Sequence, residues 1–145
     1  MRFSQFTLIA ALTVACAPPT FAQQSAPTGY KFKPALTYKN VSKDPDGIWP
    51  DDELEPSGIR KEYPNLSTAR MSLPSGEWIL SVQNGGCNMQ SDCPYILALK
   101  KNGQLTRMSR GYLGGNGTAT LSMDYSKLFV DTYEGVETQK VGPTE

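Results

Sequence analysis

Trp78–Tyr112 runs WILSVQNGGCNMQSDCPYILALKKNGQLTRMSRGY, and its periodicity decides the fold. Trp78, Leu80 and Val82 fall on one face and Ser81 and Gln83 on the other, the alternation of a half-buried strand, with Ile79 the one misfit. Asn84, Gly85 and Gly86 break that strand, because asparagine and glycine accept the positive φ that turns require. Tyr95–Leu99 is then apolar on both faces, and Lys100, Lys101, Asn102 and Gly103 end it. Asn-Gly between two strand-like runs signals a hairpin, since a type I′ turn needs positive φ at both central residues. Pairing Lys101 with Gln104 puts Leu99 opposite Thr106 and Leu97 opposite Met108. Tyr95, Leu97, Leu99 and Met108 then share the face expected to line the core. Ile96, Ala98 and Leu105 take the other face, with Lys100 and Arg107.

Upstream of this stretch, Leu66–Leu73 alternates Ala69, Met71 and Leu73 against Thr68, Arg70 and Ser72, and Pro74-Ser75-Gly76 turns it into the Trp78 strand as an antiparallel hairpin. Tyr30–Tyr38 is expected to be one first strand, confined to an edge by Pro34. Between them, Asn40–Pro64 carries four prolines and two glycines, which exclude a long helix and leave at most one turn at Asp51–Leu54. Six acids gather between positions 44 and 55: Asp44, Asp46, Asp51, Asp52, Glu53 and Glu55. Clustered carboxylates on loops suit calcium, but EF-hand spacing is not met, and a solvated acidic loop is the expectation. Ile48 and Trp49 are expected to anchor this loop on the core edge.

Downstream, Leu113-Gly114-Gly115-Asn116-Gly117 is expected to be a flexible hairpin loop rather than a phosphate cradle, because no helix follows it. Strands are expected over Thr118–Met123, Leu128–Tyr133 and Val136–Val141, the last an edge whose Glu137, Gln139 and Lys140 discourage sheet-to-sheet association. The whole is mainly β: an antiparallel meander forming a small sandwich or curled sheet, with little helix.

The 145 residues suffice for one domain. Fourteen basic and fourteen acidic side chains balance, which argues against a nucleic-acid binder or a polybasic membrane-surface protein. Histidine is absent, which removes His-activated nucleophiles, imidazole bases and His-ligated zinc. Arg2, the apolar run from about Phe6 to Ala17 and the ending Thr20-Phe21-Ala22 read as a signal peptide over 1–22, too short for a comfortable membrane span. A flexible leader over 23–29 and a single β-rich domain over 30–145 follow. Thr13-Val14-Ala15-Cys16 also resembles a bacterial lipoprotein box, which would place an N-terminal lipid on Cys16. The expected location is periplasmic or secreted. Asn40, Asn65 and Asn116 each open an Asn-x-Ser/Thr triplet, an acceptor for glycans only in a eukaryotic secretory route.

In an oxidising compartment Cys87 and Cys93 should join as a loop staple. Their C-x5-C spacing does not suit a redox centre, and two cysteines without histidine are too few to hold zinc, so neither metal nor cofactor is expected. No Ser-x-x-Lys motif is present. A carboxylate-dependent hydrolase would need some pair among Glu62, Glu77, Asp92, Asp124 and Asp131 across a cleft, and no catalytic residue is assigned. Binding suits a small exported domain better. The candidate surface is the stapled loop, Asn88, Met89, Gln90, Ser91 and Asp92, since a rigid loop loses less entropy on binding. Met89 would be an apolar anchor at its tip, and Lys100, Lys101, Arg107 and Arg110 add positive charge alongside. The expected partner is an extracytoplasmic protein or glycan.

The order strand, loop ending Asp92-Cys93, apolar strand, turn, strand resembles the central part of the periplasmic inhibitors of vertebrate lysozyme, whose loop reads C-K-P-H-D-C. The resemblance implies a β-sheet protein that plugs the lysozyme cleft with that loop. It covers about a quarter of the chain; the loop here is one residue longer, and Gln90 and Ser91 stand where the family has its histidine. The same pattern resembles bacterial exported domains with paired cysteines between two strands, which implies no activity.

Overall fold

The computed structural model describes residues 25–144; the expected signal peptide, Cys16 and the first two leader residues lie outside them. Among the described residues nine strands follow in order: β1 Tyr30–Phe32, β2 Ala35–Tyr38, β3 Leu66–Leu73, β4 Gly76–Gln83, β5 Asp92–Lys101, β6 Gln104–Gly114, β7 Ala119–Leu121, β8 Lys127–Thr132 and β9 Gly135–Lys140. One 3₁₀ turn at Asp51–Glu53 follows Pro50, as the proline-rich composition leads one to expect. The strands form two antiparallel sheets, ordered β2-β3-β4-β5-β6 and β1-β7-β8-β9.

The five-stranded sheet is the expected meander. Leu73 pairs with Gly76 across the Pro74-Ser75 turn, and Lys101 pairs with Gln104 across Asn102-Gly103, both of which have positive φ. Leu99 lies opposite Thr106 as expected, but Leu97 lies opposite Ser109 and not Met108. A bulge inserts one extra residue into β6 after Arg107. Its cause is visible on the strand's outer side, where the carbonyls of both Arg107 and Met108 accept hydrogen bonds, from Thr144 N–H at 2.9 Å and Gly142 N–H at 2.8 Å. Met108 nevertheless packs, partly buried, on the same core as Tyr95, Leu97 and Leu99.

That core fills the space between the sheets, where Trp78, Leu80, Tyr95 and Leu97 of one meet Leu121, Leu128 and Val130 of the other. Tyr125 caps it at one end, stacked between Tyr30 at 5.8 Å and Trp78 at 5.7 Å. The opposite face of the five-stranded sheet is also buried. Ile48, Trp49 and Leu54 cover Leu66, Ile79, Ile96 and Ala98, so the apparent misfit Ile79 and the two-sided apolar run of β5 have one explanation: this sheet has a core on each side.

Three further expectations are corrected. Tyr30–Tyr38 is two short strands, one on the edge of each sheet; Pro34, which cannot donate to a ladder, lies where the chain passes between sheets. Leu113 and Gly114 continue β6, paired with Cys93 and Asp92, and the glycine-rich segment after them crosses to the other sheet instead of closing a hairpin. The acidic loop is not simply solvated. Asp44 is 4% exposed, and its carboxylate accepts N–H bonds from Asp46 (3.0 Å), Ile48 (2.8 Å) and Trp49 (3.0 Å). Asp46 Oδ2 sits 2.5 Å from an Arg70 nitrogen, a charge contact rather than an aligned hydrogen bond. Glu53 receives a two-pronged contact from Arg110 at 2.8 and 3.3 Å. Trp49 Nε1 donates to Ser81 Oγ at 2.9 Å and Arg107 Nε to the Ile48 carbonyl at 2.6 Å, so the loop is fastened to the sheet by polar as well as apolar contacts.

Candidate functional site

The loop from Asn84 to Ser91 joins β4 to β5, and two features hold its base. A side chain at Gly85 would meet Pro64 Cβ at 2.8 Å, so only glycine allows this approach. Cys87 and Cys93 form the expected disulfide, with Cα atoms 3.9 Å apart. Inside the ring so closed, Asn88 N–H donates to the Asp92 carbonyl at 2.8 Å, while Asn88 Oδ1 accepts from Gln90 N–H (3.0 Å) and Asp92 N–H (2.9 Å). Asn88 thus braces the loop from within. Ser91 takes the left-handed conformation, φ 67°, that brings the chain back to Cys93.

The five loop residues have different situations. Met89 is fully exposed at the tip, and Asn88, Gln90 and Ser91 are exposed around it. Asp92 is turned inward, 7% exposed, and its Oδ1 accepts the Tyr133 N–H at 2.9 Å. It ties the loop to the turn between β8 and β9, a contact that no spacing in the sequence announces.

Between the loop, β6 and the β8–β9 hairpin lies a cleft of about 270 Å³, close to the lower end of ligand-pocket volumes. Asn88, Gln90 and Asp92 line it from the loop, Gly111 and Tyr112 from β6, and Thr132, Glu134, Glu137 and Gln139 from the hairpin. Tyr112 is half exposed on its rim. Behind β6, the Tyr95 hydroxyl contacts Ser109 Oγ at 3.3 Å; burial above all, with the charge of Glu137 adding to it, pushes this phenol above its ordinary pKa. Tyr112, Glu134, Glu137 and Gln139 were not singled out as a site by the sequence. Glu137 and Gln139 read as polar guards of an edge strand, and their meeting with Tyr112 depends on how one sheet lies over the other.

The remaining candidates are dispersed. Of the five carboxylates named as candidates for a hydrolase pair, only Asp92 lines this cleft. Asp131 accepts from Thr118 N–H and hydroxyl at 3.0 and 2.7 Å, and Glu77 faces Arg70 at 3.6 Å. Asp124 accepts from Ser122 and Ser126, which lower its pKa to about 2. Of the four expected cations, Arg107 and Arg110 hold the 41–54 segment, whereas Lys100 and Lys101 are exposed. Among the described residues no group of three or more His, Cys, Asp or Glu is placed to hold a metal ion, and no helix is long and apolar enough to cross a membrane. Comparison with protein families, with characterised proteins and with solved structures finds no match.

Proposed function

We propose that the chain is an exported, non-catalytic binding module that engages an extracytoplasmic partner, protein or glycan, through its stapled loop and the cleft beside it. The supporting observation is the loop itself. A disulfide, the Asn88 brace and the Asp92–Tyr133 link hold its base, while Met89 stands fully exposed at its tip. A large apolar side chain on a preorganised support gains contact area at small entropic cost. Disulfide closure also supports an oxidising, extracytoplasmic location.

Pull-down from envelope or host-fluid extract tests this proposal. Met89→Ala is expected to reduce capture of the partner by about tenfold while thermal stability stays within about 0.5 kcal/mol, since the side chain buries nothing in the free protein. Equal capture by wild type and Met89→Ala argues against the loop as the recognition element. Lysozyme inhibition is the narrower form of the same proposal, supported by a projecting cysteine-closed loop between antiparallel strands. Here Asp92 would act by positioning the loop, because its carboxylate faces inward. Unimpeded vertebrate-type lysozyme at saturating protein would remove that form.

A further inference from the structure

The cleft lies on a seam where the two sheets do not close on each other. Strand β6 is the outer strand of one sheet and β9 of the other. The chain leaving β9 lays Gly142 and Thr144 against β6, where their N–H groups donate to the carbonyls of Met108 and Arg107. At the far end of β6 the Gly114 carbonyl accepts from Gly117 N–H at 2.7 Å. Met108 and Gly114 therefore both direct backbone groups to the outer side. The two-residue period of a strand then directs the N–H and C=O of Arg110 and Tyr112 the same way. Among the described residues, β6 pairs only with β5, and no backbone or side-chain partner reaches those outward groups of Arg110 and Tyr112.

This unpaired edge borders the cleft at Gly111 and Tyr112. The facing wall carries Glu134 and Glu137, both exposed, with Asp92 beneath, and the lining includes no lysine or arginine. A free β-edge two residues beyond a point where the chain's own tail already adds to it is suited to another extended segment, and an acidic wall favours a cation on that segment. We propose, as a narrowing of the binding function above, that the cleft receives an extended basic peptide segment. It adds as a short strand to β6 at Arg110–Tyr112 and places a Lys or Arg side chain against Glu134 and Glu137.

Fluorescence anisotropy with labelled octapeptides tests the proposal. One alternates lysine with threonine, a second alternates glutamate with threonine, and a third is the lysine peptide N-methylated at every second residue, which removes strand donors and keeps charge. The lysine peptide is expected to bind, and the other two to bind at least about tenfold more weakly. The double variant Glu134→Gln, Glu137→Gln, checked for an unchanged melting curve, is expected to lose about tenfold for the lysine peptide. In amide exchange, Arg110 and Tyr112 should become protected only when the lysine peptide is present. No binding of the lysine peptide at about 1 mM overturns the proposal. So does equal binding of the N-methylated or the glutamate peptide, or binding without protection at Arg110 and Tyr112. A partner captured through Met89 that the lysine peptide does not displace and the double variant retains overturns the cleft assignment while leaving the binding module standing.

Discussion

Asp44 illustrates how little a residue's type says about its place. It belongs to a run of acids that reads as solvated, yet it is buried and its carboxylate closes the turn into Ile48 and Trp49 through three backbone N–H groups. Removing it leaves those donors unpaired inside the protein, so Asp44→Ala should cost about 2–3 kcal/mol in urea unfolding, and Asp44→Asn less, because the amide oxygen still accepts. A change below about 0.5 kcal/mol would show that water replaces the carboxylate. Asp124 is the opposite case, an exposed carboxylate whose pKa is lowered to about 2 by hydroxyl and backbone donors from Ser122 and Ser126. Because the folded form holds the proton less tightly than the unfolded chain, its contribution to stability is present above the ordinary carboxyl value of 3.8 and disappears as pH falls through about 2. Carboxyl-carbon NMR should place its midpoint near 2, and Ser122→Ala should move it upward; a midpoint near 3.8 in the wild type would refute the assignment.

At the scale of elements, the stapled loop and the β8–β9 hairpin act as one unit because the Asp92 carboxylate joins them. The disulfide closes a sequence separation of six, for which the chain-entropy model gives about 2 kcal/mol. The Cys87→Ser, Cys93→Ser variant should therefore lose about 2 kcal/mol of stability, seen as a lower denaturant midpoint. It should also expose the Tyr133 amide to faster exchange. Unchanged Tyr133 exchange would mean that Asp92 keeps its position without the staple. The bulge in β6 is an element-level decision of a different kind. The Asn102-Gly103 turn sets the register from Lys101 to Ala98, and the tail at Gly142 and Thr144 resets it beyond. A hairpin read in isolation would carry the turn's register to its end.

For the molecule as a whole, one sheet serves two cores. Trp78 seals the space between the sheets, and Trp49 seals the outer face of the five-stranded sheet against Leu66, Ile79, Ile96 and Ala98. Trp49→Ala should cost about 3–5 kcal/mol and uncover an apolar sheet face, seen as dye binding and loss of solubility. Native far-ultraviolet circular dichroism should survive where the protein remains folded, because the inter-sheet core is untouched. A loss of both sheets together in this variant would show that the two cores are not separable.

Local grammar was legible in the amino-acid order: most of the strand runs, the turns at Pro74-Ser75 and Asn102-Gly103, the loop that Cys87 and Cys93 can close, and the antiparallel β class. These follow from side-chain period, turn chemistry and short-range geometry, all of which act over a few residues. The amino-acid order also placed Ile48 and Trp49 against the core. Long-range packing set the rest: Tyr30–Tyr38 splits between two sheets, Met108 is a bulge, and Asp44 and Asp92 face inward. It alone brought Tyr112 of β6 into one cleft with Glu134 and Glu137 of the last hairpin. Each of those outcomes depends on which distant segment covers a given face, and an alternation of apolar and polar residues says that a face is covered without saying by what.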